Sequence, residues 1–141
     1  MNTHQQLQQN AESGLGYVVN WVLRLIPAVI VGQAAWMKFT DDPKVSMMFT
    51  SLEMEPGGRL LIGFIEALCV VLLLSPRISA WGAILCLGVM IGAVIAHVTV
   101  LGFDGSFGSL FAMALASAVA SMAIIYRMRR QVPFISSMFD R

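Results

Sequence analysis

The sequence predicts an all-α integral membrane protein: a four-helix bundle with a short amphipathic interfacial helix between spans one and two. Three observations predict it. Of the 141 residues, 57% are hydrophobic and only 12% are charged, where soluble domains carry about 25% charged residues. The apolar residues gather into four long runs, and each run approaches the roughly 20 residues that a bilayer crossing takes. The chain has room for one bundle and no separate soluble domain. A net charge of +1 leaves no basic face for nucleic acid, so the expected environment is the lipid bilayer.

Taken in order, the opening segment MNTHQQLQQNAESG is polar and Gln-rich. It lacks the basic n-region of a signal peptide, so residues 1–13 are expected to form an attached polar tail. The single transmembrane domain then covers residues 14–126. Its first span is expected over residues 17–38 and its second over 58–75. The second is the shortest, so snorkelling of Arg59 and Arg77 is expected to help it fit. The turn SPRIS makes the second and third spans antiparallel neighbours. The third span covers 80–101, the breakers Gly102 and Gly105 follow, and the fourth covers 107–126. A basic tail occupies 127–141.

Between spans one and two lies TDDPKVSMMFTSLEMEPGG. Asp42 suits an N-cap and Pro43 the first helical position. Val45, Met48, Phe49 and Leu52 recur at helical spacing before Pro56, which predicts a short amphipathic helix in the interface. Orientation follows from Lys and Arg beside the spans. Arg77, Arg127, Arg129, Arg130 and Arg141 share the side of both termini, which is expected to be cytoplasmic. Gly88, Gly92 and Ala96 form a small-xxx-small stripe, as do Ala114 with Ala118 and Ser117 with Ser121. Such stripes let helix backbones approach in lipid, here within the subunit or, alternatively, in a homo-oligomer. Cys69 and Cys86 lie inside apolar runs and fit packing roles.

The most informative residue is Glu66, alone in the run GRLLIGFIEALCVVLLLS. A charge at membrane depth costs about 2.5 to 3.5 kcal/mol even on insertion scales, so it faces protein, water or a partner charge. The other membrane-depth candidates are Arg24, Gln33 and Lys38 on the first span and His97 on the third. Glu66 lies ~12 Å and His97 ~6 Å below one surface, with Gln33 at comparable depth and Arg24 ~21 Å from the Lys38 end. At about 100° per residue, Arg24, Ala28, Val31, Ala35 and Lys38 share one face, and Gln33 lies nearly opposite Arg24. His97 shares its face with Ala93, Met90, Cys86 and Ala83. The simplest arrangement turns Arg24, Lys38, Glu66 and His97 inward, with an Arg24–Glu66 pair.

Each candidate has a plainer reading. Lys38 can snorkel at a span end, Arg24 can neutralise Glu66 as a structural pair, and His97 can be a hydrogen-bonded wall residue. A small bundle gains little from four such groups together. No metal site is expected. The only membrane imidazole is His97, since His4 lies in the tail, so haem lacks a second ligand. Met47, Met48 and Met54 offer soft ligands for Cu(I), but Met48 already belongs to an apolar helix face. No P-loop, G-x-G-x-x-G, H-E-x-x-H or C-x-x-C occurs.

Arg24, Gly32 and Lys38-Phe39 close to the end of span one, the amphipathic segment, Gly63-Phe64-Ile65-Glu66, Arg77 and His97 together resemble the DoxX and DoxX-like membrane proteins over about residues 24–102. One departure is Ala34-Ala35-Trp36-Met37 before Lys38, where members often carry a glycine, which weakens the expectation of close backbone approach there. The resemblance implies a four-helix bacterial inner-membrane protein. Such relatives include a subunit of a thiosulfate:quinone oxidoreductase and a partner in a thiol-redox and superoxide-handling complex, and distant ones act as cargo receptors or assembly chaperones. Fold transfers across such a family better than activity.

The leading expectation is a membrane subunit of a redox system that holds a quinone or similar small apolar ligand. Glu66 and His97 would exchange protons with it, while Arg24 and Lys38 hold Glu66 charged or stabilise an anionic ligand. The alternative is a non-catalytic assembly or anchoring module for partner proteins. A further alternative is a small proton-coupled transporter, which the missing internal repeat disfavours for a monomer.

Overall fold

Four amphipathic stripes, each able to bury only one face, resolve into a ring of helices. A computed structural model describes residues 3–128. Its elements are α1 (Thr3–Phe39), α2 (Pro43–Ser51), α3 (Gly57–Leu74), α4 (Ser79–Ala96), a π-helical turn (His97–Leu101) and α5 (Ser106–Arg127). No strand occurs among the described residues. Four helices are long and apolar enough to cross a membrane, so this is a multi-pass membrane protein. The helix α1 packs on α3 and α5, and α4 packs on the same two, so the four spans close a ring in chain order.

The stripe expected on span one is the buried one: Arg24, Ala28, Val31, Ala35 and Lys38 all face inward. Pro27 is accommodated inside α1. The helix begins at Thr3, so it runs through the segment expected as a tail. Gln, Leu, Ala and Glu there are good helix formers, and polarity alone does not end a helix. The basic residues Arg129, Arg130 and Arg141 lie outside the described residues.

The helix α2 starts as its sequence predicts. The Asp42 carboxylate accepts from the backbone N–H of Lys44 at 2.9 Å and of Val45 at 3.4 Å, with Pro43 in the first turn. Its apolar face turns onto the bundle. Val45 and Phe49 are buried, because α2 seats on α1, α3 and the π-helical turn. The helix is therefore a roof over one end of the bundle.

Two glycines set the backbone spacing. A Cβ on Gly82 would lie 2.6 Å from the Leu73 backbone nitrogen, so the α3–α4 hairpin closes only without a side chain there. Gly102 has φ 72°, a region open mainly to glycine, and its N–H donates to the His97 carbonyl at 2.9 Å. That i→i+5 bond closes the π-helical turn. The core contains Val31, Cys69, Leu73, Ala83, Cys86 and Ile124, and both cysteines are free and buried.

Candidate functional site

The carboxylate of Glu66 meets Lys38, not Arg24. Lys38 and Glu66 are 5% and 3% exposed. The Lys38 Nζ donates to Glu66 Oε1 at 2.9 Å and lies 2.8 Å from Oε2. The ammonium thus sits between both carboxylate oxygens. The ammonium also points at the Ala34 carbonyl, 3.4 Å away, and stands 5.8 Å from the centre of the Phe49 ring. Gly63 permits this meeting: a Cβ there would be 3.2 Å from the Lys38 Cβ. The close approach thus comes from α3, although the residues before Lys38 lack the glycine.

Arg59 holds the backbone behind Lys38, and sequence reasoning missed it. It is buried, not snorkelling. Its guanidinium donates to the Lys38 carbonyl, binds Glu55 Oε1 at 2.7 Å and pairs with Asp41 Oδ1 at 2.9 Å. The carbonyls in the last turn of a helix lack intrahelical partners, and Arg59 satisfies one while tying α1, the α1–α2 loop and α3 together. The signal was present as Glu55 and Arg59 at i,i+4, a pairing distance on a helix.

His97 opens the π-helical turn and is 2% exposed. Its Nδ1 lies 2.8 Å from the Ala93 carbonyl, which can only accept, so Nδ1 carries a proton. Nε2 has no hydrogen-bond partner among the described residues. The ring stands 5.7 Å from that of Phe111. Single π-turns inside helices often mark functional positions.

Two cavities meet at these residues. The larger, about 600 Å³, runs between α3 and α4 beneath α2, with Ile62, Ile65, Gly88, Gly92 and Phe49 in its walls. The smaller, about 80 Å³, lies toward Ile30, Met90 and Met113. Lys38, Met48, Glu66, Ala93 and His97 line both. The Gly88–Gly92–Ala96 stripe, expected to pack within the subunit or in a homo-oligomer, lines the larger cavity and is not closed within the subunit. Gly88 and Gly92 are exposed, and a Cβ on either would meet nothing within 4 Å. The cavity therefore opens sideways on the lipid-facing surface. Ala114 with Ala118 and Ser117 with Ser121 are buried, as close packing requires.

Two sequence candidates fall outside the cluster. Arg24 is buried, but its Nη2 donates to Met128 Sδ at 3.4 Å and its guanidinium sits 5.4 Å from the Trp21 ring centre. It makes no ion pair among the described residues. The helix rises ~21 Å from Arg24 to Lys38, so the lysine at the right level takes the carboxylate. Gln33 shares the depth of the cluster but is exposed, because rotation along α1 turns it outward.

No curated protein and no solved structure matches this chain. The model of the DoxX-like family matches residues 22–121, a stretch that contains Lys38, Arg59, Glu66, His97 and both cavities. With four membrane-spanning helices and a match over well over half its length, this chain belongs to the DoxX-like family.

Proposed function

We propose that this protein holds a small apolar ligand of the quinone type in the α3–α4 cavity, as the membrane subunit of a redox system. The observation that carries the reading is the placement of Lys38, Glu66 and His97 on an otherwise apolar wall of about 600 Å³. Ligand pockets are commonly about 300–1,000 Å³ and mostly apolar, with few polar groups that fix orientation. The ring and short tail of a quinone match that size and polarity. A bound quinone would supply the electron-carrying ring. The apolar walls bury it, Lys38 and Glu66 set the charge near its oxygens, and the His97 imidazole stands beside them as a proton-exchanging group. With both termini cytoplasmic, the side opening faces the outer half of the bilayer, and the ligand enters from lipid between α3 and α4.

The test fills the cavity without disturbing the fold. Gly92→Leu adds a side chain where a Cβ has no neighbour within 4 Å. Purified protein in nanodiscs is loaded with a decyl-substituted benzoquinone, and retained quinone and thermal unfolding are measured on one preparation. Retention per folded molecule should fall at least tenfold while the unfolding temperature holds. Unchanged retention overturns the reading.

The satisfied charges favour a second reading, that of a non-catalytic assembly module. Lys38 with Glu66, and Arg59 with Asp41 and Glu55, tie α1, α3 and the connections on either side of α2 together at one end. Under that reading partner proteins dock on this end, and Gly92→Leu leaves their copurification unchanged.

A further inference from the structure

We infer that the site takes a ligand through a hydroxyl donor, and so prefers the hydroquinone form over the quinone. The inference rests on the quinone-type reading above. It comes from which polar valences at the cluster are used. The donors are engaged: the Lys38 ammonium is directed at Glu66 Oε1 and the Ala34 carbonyl, and the His97 Nδ1–H donates to the Ala93 carbonyl. One acceptor is not: His97 Nε2 is buried without a hydrogen bond among the described residues, whereas both Glu66 oxygens lie within 2.9 Å of the Lys38 ammonium.

A neutral imidazole that donates from Nδ1 can only accept at Nε2. His97 forms no ion pair with a carboxylate among the described residues. A quinone brings only carbonyl acceptors to this wall, and acceptor facing acceptor forms no bond. A hydroquinone brings two O–H donors. A buried acceptor without a partner carries its full desolvation cost until a donor reaches it, so the reduced ligand gains what the oxidised one cannot. That nitrogen is closed to water, and Met48, an unbranched thioether that can yield, lines both cavities with His97.

The experiment compares three probes by anaerobic calorimetry in nanodiscs: a decyl benzoquinone, its hydroquinone, and the dimethyl ether of that hydroquinone. The hydroquinone should bind about tenfold tighter than either other probe, the scale of a hydrogen bond to a buried acceptor. His97→Phe keeps a ring beside Phe111 and should narrow that ratio. A readout free of substitutions is the nitrogen NMR of labelled histidine, since the chain has only His4 and His97. The His97 Nε2 signal should start as a bare nitrogen and shift on adding hydroquinone but not quinone or ether. Equal affinities for the three probes, or a proton on Nε2 in the free protein, overturn this inference and leave the quinone-type reading standing. Binding of none of the three overturns both.

Discussion

The two seams of α3 are built with glycine and come out opposite. On the α1 side, Gly63 lets the backbone close until a Cβ would sit 3.2 Å from that of Lys38, and an ion pair spans the contact. On the α4 side, Gly88 and Gly92 face nothing within 4 Å, and the seam opens into a cavity. Glycine permits contact without enforcing it. What decides is whether the facing helix brings a side chain to fill the space. Toward α1 there is a lysine with a carboxylate to meet; toward α4 the α2 roof and the hairpin close the seam only at its ends, at Phe49 and Gly82.

If the closed seam depends on its charges, breaking the pair gives the largest effect. Lys38→Met leaves Glu66 buried without a counter-charge, and broken buried pairs cost roughly 3 to 5 kcal/mol. Unfolding in detergent should show that loss. Lys38→Met combined with Glu66→Leu should recover most of it, since an apolar pair of similar volume is often as stable as the ion pair. Costs that merely add would mean that the seam is held by shape alone.

The glycines themselves give the next effect. Gly63→Val crowds Lys38 and Phe39 and should lower stability by about 1 to 3 kcal/mol, the usual range for overpacking. Gly88→Val enters open space and should stay within about 0.5 kcal/mol of the parent. Thermal unfolding of the two variants side by side checks the contrast. Equal losses would show that α3 and α4 pack together in the bilayer and that the cavity does not persist there.

Periodicity made much of this legible. The inward face of α1, the face shared by His97, Met90, Cys86 and Ala83, and the Asp42 start of α2 all follow from local spacing, which one helix decides for itself. What was not legible depends on register between helices. The lysine rather than the arginine meets Glu66 because Gly63 sets α3 level with the last turn of α1, and a single-helix depth estimate is too coarse for that. Whether the Gly88–Gly92 stripe closes or gapes depends on what stands opposite. The clamp of Arg59 hid behind a span-end position, where snorkelling is the commoner role.

The smallest expected effect bears on the far end of the bundle. Arg24 has Met128 and Trp21 for company and no carboxylate among the described residues, so its removal should act independently of the cluster. Sites more than about 7–10 Å apart with no shared partner usually add within about 0.3–0.5 kcal/mol, and the helix length between Arg24 and Lys38 is ~21 Å. Arg24→Leu should therefore cost only what its ring contact contributes, roughly 0.5 to 2 kcal/mol. Combined with Glu66→Gln, the two costs should sum with no coupling beyond that error. A double-mutant cycle in detergent measures it directly. Coupling of 1 kcal/mol or more between Arg24 and Glu66 would mean that the arginine reaches the carboxylate in the membrane, and that the pairing of Lys38 with Glu66 is one of two states of the bundle.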